Sequence, residues 1–397
     1  MHAGAQVAVL DHTASALGGA QLVVSRMVAL LSQNYDVELI HNGGAGYLAT
    51  LTSAFSANLE RIREKRISAM RTSFSLPGAA SLLRPERLDG VGANRWYDLF
   101  VYSGHGVPPR SCGKKGIIYC HFPFESAPVN ARDKAGNPKL RGPVPWIKNA
   151  AYRWDWKSRM AGYQKIFANS HFTAEWIDRR WQMPAEVLYP PVDPVPSTGG
   201  KKNLIVTLGR FTGGPRSKNQ LAQVQAFRDF CGSAREPWTL RIIGSCGESL
   251  TDREYLDRLS NSIDGLPIEL LVNVERSVTV QSLAEARLFW HTAGLGVDEK
   301  ERPEYAEHFG IAVVEAMRAG CVPVAVNSGG LREIIEHDKN GFLIFDLKSM
   351  AQTSAKLADC EEKLALMGDA ARRRSAIFDG ERFDRRFRAA VSECLAS

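Results

Sequence analysis

Two glutamates eight positions apart, Glu307 and Glu315, frame the stretch of this chain with the clearest capacity for chemistry. A carboxylate accepts two hydroxyl hydrogen bonds, so each of them suits a vicinal diol. Between them lie Phe309, Gly310, Ile311 and Ala312, and the apolar run continues through Val313, Val314, Ala316 and Met317 to Gly320. The run reads as a helix with one carboxylate before it and one inside it, stopped by Gly320. Gly310 lets the backbone pass close to a ligand. The first amides of such a helix, together with its dipole, favour a diphosphate. For Glu315 a second reading stands beside the diol: a carboxylate in the N-terminal half of a helix complements the dipole. A second group of charges lies upstream, where Arg210 ends an apolar run and Lys218 opens the next helix. Two cations at the mouth of a sheet suit a diphosphate, Arg as a fork of donors and Lys as a point charge; solvated loop cations are the plainer reading.

These residues need a scaffold, and the apolar runs supply one. In the C-terminal half, Asn203 to Gly209, Leu240 to Gly244, Ile268 to Val272 and Cys321 to Val326 read as buried parallel strands, with Gly244 marking a strand-to-loop site. Thr279 to Arg287 reads as a short helix, and an acidic loop from Leu295 leads into Glu307. The N-terminal half has the same rhythm. Gln6 to Leu10, Val37 to Ile40, Tyr97 to Tyr102, Gly116 to Cys120 and Lys165 to Ala168 read as strands, and Gly18-Gly19 opens a helix. The paired glycines offer backbone amides to a phosphate, or form an ordinary turn. His121 follows a strand end, where ligands bind in such sheets; a lone His also packs as a structural residue. Ser170 or Thr173 can cap the helix after Asn169.

At 397 residues the chain is expected to form two domains. The expected boundaries are an N-terminal domain over 1–193, a linker over 194–200, a C-terminal domain over 201–378, and a closing helix over 379–397 that braces the first domain. No apolar run is long enough to span a bilayer, and the start, Met1 to Asp11, lacks the basic region of a signal peptide. Seven scattered cysteines without a Cys-x-x-Cys pair argue against zinc or a disulfide framework and for a reducing cytosol. The net charge of +7 permits contact with anionic lipid or nucleotide phosphate; no nucleic-acid partner is expected. Residues 50–95, with Arg61, Arg63, Lys65, Arg66, Arg71, Arg84 and Arg87, suit either a membrane surface or a solvated face. Residues 125–160 read as a long loop whose Trp146, Trp154 and Trp156 suit a sugar acceptor or simple packing.

The stretch from Glu307 to Gly320 resembles the retaining glycosyltransferases of family 4, whose mark is Glu, seven residues, Glu, with Phe-Gly between and Glu-Ala-Met-x-Ala-Gly at the end. Arg318 stands where an Ala is common. His121 before Phe122-Pro123, Ala168-Asn169-Ser170, Tyr189-Pro190-Pro191-Val192-Asp193, Gly209-Arg210 with Lys218, and Trp290-His291 extend the likeness along most of the chain. The resemblance implies an α/β chain of GT-B fold, two Rossmann-like domains with parallel sheets facing across a cleft. It implies transfer of a hexose, with retention, from a GDP- or UDP-sugar to a glycan or lipid-linked acceptor. His121, Glu307, Arg210 and Lys218 are then the catalytic set. Gly18, Gly19, Gly244, Phe309, Gly310, Ile311 and Glu315 bind the donor, with Glu315 on the ribose and Glu307 on the donor sugar. No metal site and no cofactor beyond the nucleotide sugar are expected, which agrees with the absence of Asp-x-Asp. The scattered cysteines and the basic segment make a cytoplasmic enzyme, open to peripheral contact at the inner membrane face, the expected location. The rivals are a nucleotide-sugar epimerase, which needs its own acid and base carboxylates, and a non-catalytic binding relative.

Overall fold

A computed structural model describes residues 4–14, 17–55, 57–67, 97–127, 145–195, 200–214 and 216–397; over 145–152 only the helical backbone is described. The chain divides into two units, one of Met1–Pro191 with Phe383–Ser397 and one of Val192–Arg382. Residues 196–199, most of the expected linker, lie outside the described residues, as do Arg71, Arg84 and Arg87.

In the first unit seven strands form one parallel sheet: β1 (Gln6–Asp11), β2 (Asp36–His41), β3 (Arg63–Arg66), β4 (Tyr97–Gly104), β5 (Gly113–Cys120), β6 (Lys165–Ala168) and β7 (Glu186–Val187). Their order is β3-β2-β1-β4-β5-β6-β7. β1 is buried from Val7 to Asp11, so its apolar run serves both faces of the sheet. Helices α1 (Gly19–Leu31), α2 (Tyr47–Phe55), α3 (Pro145–Met160) and α4 (His171–Trp181) connect the strands. Ser170 is the residue that caps α4: its side chain accepts from the Thr173 amide. Residues 145–160 are helical rather than loop. Trp156 is buried in the core and Trp154 is exposed, so the described part of this stretch is a packed element; residues 128–144 of the expected loop and the Trp146 side chain lie outside the described residues. β3 was not legible because its four residues, Arg-Glu-Lys-Arg, carry no apolar signal; charge is what an edge strand needs against mispairing.

In the second unit six strands form a parallel sheet: β8 (Lys202–Leu208), β9 (Thr239–Gly244), β10 (Ile268–Val272), β11 (Ala286–His291), β12 (Val322–Val326) and β13 (Phe342–Ile344), in the order β10-β9-β8-β11-β12-β13. Helices α5 (Gln220–Cys231), α6 (Leu250–Ser262), α7 (Arg276–Glu285), α8 (Ile311–Arg318), α9 (Leu331–Ile334), α10 (Leu347–Ala358) and α11 (Glu361–Ser375) cover it. The expected helix over Thr279 to Arg287 begins earlier and gives way at Ala286 to a strand, because the apolar residues there enter the sheet between β8 and β12. The last helix, α12 (Gly380–Ala396), buries Phe383, Phe387, Ala390, Val391 and Cys394 in the first unit's core. Each fully buried Phe or Val of that face contributes roughly 1.5–3 kcal/mol.

Both sheets reverse direction of growth beside their first strand, which opens a crevice at the strand C-termini. In the first unit it lies between β1 and β4, in the second between β8 and β11. The helices lining the second crevice are held from below by one cation. Lys201 donates at 2.7 Å to the carbonyl of Ala286 and at 2.7 Å to that of Ala319, the C-caps of α7 and α8. Burial lowers its ammonium pKa. Lys201→Met removes the ammonium donor from these helix-end carbonyls, and urea unfolding is expected to show a loss of about 1–3 kcal/mol.

Candidate functional site

The second crevice gathers three of the polar side chains singled out by spacing alone or by resemblance, Lys218, Glu307 and His291. β8 ends at Leu208, and the loop after it returns to α5 through Ser217, Lys218 and Asn219. Asn219 takes the left-handed conformation, φ 54°, and its side chain donates at 3.0 Å to the Thr292 carbonyl. Thr292 in turn donates at 2.6 Å to the Lys218 carbonyl. These two bonds tie the loop after β8 to the end of β11. Lys218 then reaches Glu307, with Nζ 2.5 Å from Oε2. His291, the last residue of β11, places Nε2 2.7 Å from the same oxygen.

Burial alone would raise the Glu307 carboxyl pKa. The Lys218 ammonium and the hydrogen bond to His291 more than offset it and hold the group far below the usual carboxylate range. Burial lowers His291, and brings neighbouring His308 down to about 3. The site is therefore an ammonium and a carboxylate beside two neutral imidazoles at neutral pH. Among the described residues the Lys218 ammonium hydrogen-bonds Glu307 alone, which leaves donors for a ligand.

Gly310 caps α8 with φ 112°, and a Cβ there would come 2.7 Å from Leu331. Left-handed backbone and packing therefore demand this glycine, whatever passes near it. Phe309 is buried, its ring edge-on to Phe378 at 5.4 Å, so only its backbone is available to a ligand. Ile311 opens α8 and its side chain is half-buried. Glu315 lies in α8, nearly buried, and carries a partner absent from the sequence reading: Arg276 at the start of α7 donates to its Oε1. Gly244 meets the β8 turn so closely that a Cβ would stand 2.0 Å from the Gly209 carbonyl oxygen. Arg210 is exposed, and its carbonyl accepts from Gln220 at 3.2 Å. Its guanidinium acts electrostatically on Asp252 and makes no hydrogen bond among the described residues. The structure thus joins Lys218 to Glu307 directly and leaves Arg210 outside that contact.

The first unit holds a separate polar group at its own crevice. Ser103, next to last in β4, stands 2.9 Å from Nε2 of His121, which is buried beside the rings of His105 and Tyr119. Gly18 caps α1 in extended conformation and Gly19 begins it. Nearby Asp11, fully buried, accepts from the Thr13 amide and hydroxyl at 2.7 Å and from Tyr47. The sequence reading missed this network; the one signal was a carboxylate at the end of an apolar run. Among the described residues no group of three or more His, Cys, Asp or Glu is placed to hold a metal ion.

Two family models meet end to end along the chain. "Glycosyltransferase Family 4" matches residues 17–195, and "Glycosyl transferases group 1" matches 193–374. The chain belongs to glycosyltransferase family 4. Its relatives include the Dictyostelium discoideum GDP-Man:Man(3)GlcNAc(2)-PP-Dol alpha-1,2-mannosyltransferase, 30% identical over 51% of this chain and 41% of that one. The human alpha-1,3/1,6-mannosyltransferase ALG2 is 27% identical over 58% of this chain and 56% of that one. The mouse alpha-1,2-mannosyltransferase is 27% identical over 88% of this chain and 69% of that one. The first two matches thus span about half of those relatives' lengths. Among solved structures, a glycosyltransferase from Rickettsia africae matches with TM-score 0.68 at 13% identity, over 98% of both chains. Anabaena HepE with UDP and glucose matches with TM-score 0.65 at 15% identity, over 98% of this chain and all of that one. At such identities the likeness carries the fold alone, and that fold is GT-B.

Proposed function

We propose that this family 4 member transfers a hexose, with retention, from a nucleotide-diphosphate sugar to a glycan or lipid-linked acceptor. The observation that carries the reading is the contact of Lys218, Glu307 and His291 at the switch point of the second sheet. Relatives named for GDP-Man and for lipid-linked acceptors make GDP-mannose the first donor to try.

On this reading the second unit takes the donor. Glu315 accepts the ribose hydroxyls, and Glu307 contacts the sugar. The free donors of Lys218, the exposed guanidinium of Arg210 and the amides opening α8 receive charge as the diphosphate departs, the kind of preorganised stabilisation that usually dominates such a step. The bond from the anomeric carbon to the diphosphate breaks, the acceptor oxygen bonds on the same face, and the leaving phosphate takes the acceptor proton. The first unit presents the acceptor, with His121 donating to a sugar hydroxyl or steadying developing charge. Gly18 and Gly19 open a helix whose amides suit an anionic group. Among the described residues no helix is long and apolar enough to cross a membrane. The reading adds a cytoplasmic enzyme that meets a lipid-linked acceptor at the membrane surface.

Thermal shift against GDP-mannose, UDP-glucose and their diphosphates tests binding, and donor hydrolysis followed by transfer tests turnover. A raised melting temperature with release of GDP or UDP is expected. Binding without turnover under any donor would replace this reading with a non-catalytic one.

A further inference from the structure

The nucleotide reading leaves one partner of Glu315 unused. Arg276 opens α7, just past the C-terminal end of β10, the edge strand of the second sheet. Its Nη2 donates to Oε1 of Glu315, thirty-nine positions further along the chain. The Arg276 side chain is 46% exposed and that of Glu315 only 10%, so the cation approaches from solvent and the carboxylate from the core. Among the described residues Oε2 of Glu315 accepts no hydrogen bond, and Arg276 donates no other. Half of a nearly buried carboxylate is therefore taken and half is free.

That asymmetry has a consequence for geometry. The last torsion of a Glu side chain is broad and roughly two-fold, so an untethered carboxylate presents either oxygen in a spread of planes. A guanidinium fixed on one oxygen selects one plane. We propose that Arg276 is a positioning residue of the nucleotide site: it pins Oε1 of Glu315 and so turns Oε2 to the ribose diol. This rests on the reading of Glu315 as the ribose holder. Arg276 acts through Glu315 and sets how strictly the site reads a ribose hydroxyl. A purely structural brace between α7 and α8 would affect all nucleotides alike.

Titration calorimetry on the full chain tests this with GDP and UDP, then with the 2′-deoxy form and the monophosphate of whichever binds. The wild type is expected to prefer the ribose form by about tenfold or more, the worth of a hydrogen bond to a charged group. Glu315→Ala abolishes that preference. Arg276→Ala, at an exposed helix start, lowers it by about threefold or more and leaves the preference for diphosphate over monophosphate unchanged. If Arg276→Ala keeps the ribose preference while Glu315→Ala loses it, the positioning role is overturned and the ribose assignment stands. Tighter nucleotide binding by Arg276→Ala also overturns it, since Arg276 would then compete with the ribose. A ribose preference that survives Glu315→Ala, or is absent from the wild type, removes the assignment of Glu315 and this inference with it.

Discussion

Replacing Lys218 with Met is expected to cut sugar transfer by on the order of 10²–10³-fold, the usual cost of one preorganised donor at developing charge. The reason is the double use of one ammonium. It holds Glu307 ionised in a mostly buried position and keeps donors for a diphosphate. The substitution also leaves a carboxylate without its counter-ion, still in contact with His291, which by itself costs up to about 3–5 kcal/mol. Loss of activity could then be mere loss of fold, and the double variant Lys218→Met with Glu307→Gln separates the two. The neutral amide needs no counter-ion, so the double variant should regain most of the stability in a urea melt. Its transfer rate should stay as low as that of Lys218→Met. Recovery of both would mean that Lys218 serves only to neutralise Glu307. Arg210→Ala provides the contrast. The Arg210 side chain makes no hydrogen bond among the described residues, so its loss should weaken transfer without a stability cost.

Why Lys218 and Glu307 meet is only partly readable from the chain. Interior strands such as β1 and β12 are buried on both faces, so continuous apolar runs announce them. Gly310 and Gly320 punctuate α8 because both sit at positive φ, 112° and 78°. These signals are local and survive in one sequence. Pairings are not local. Lys218 and Glu307 lie 89 positions apart, and each has its place in a motif, but nothing in either motif says that they touch. His291 shows the same limit: it stands in a recognisable Trp-His pair, yet its bond to Glu307 depends on β11 ending there. Arg276 carried no signal at all, since a charged residue before an ordinary helix reads as solvated. Where a helix passes into a strand without a turn residue between them, as across Leu283 to His291, periodicity blurs and only the sheet decides the boundary.

Acid should destabilise this protein before most of its carboxylates are protonated, because partial burial holds a histidine neutral in each unit. His12 in the first unit stands 2.8 Å from the Tyr102 hydroxyl, and burial lowers its pKa to about 4. His308 in the second unit is brought to about 3 by burial, with the cations of Lys218 and Arg216 adding in the same sense and Glu307 opposing. Both start from 6.5 in an unfolded chain. The unfolded state therefore binds more protons below that value, so stability is complete above about pH 7 and falls as pH drops toward each folded value. Each histidine removes up to about 1.4 kcal/mol per pH unit, hence about 2 kcal/mol each between pH 6.5 and 5. His291, also lowered by burial, adds in the same direction. The Glu307 carboxyl is depressed, so its own contribution is lost only below 4.5, outside this window. Urea unfolding of wild type and His308→Gln at pH 7 and pH 5 isolates one of these terms. Gln keeps a polar side chain and cannot titrate, so the variant should lose stability at pH 7 yet show a shallower decline toward pH 5 in the transition of the second unit. An unchanged decline would mean that His308 gains its proton without unfolding, and that its burial exerts no grip on the acid limit of the fold.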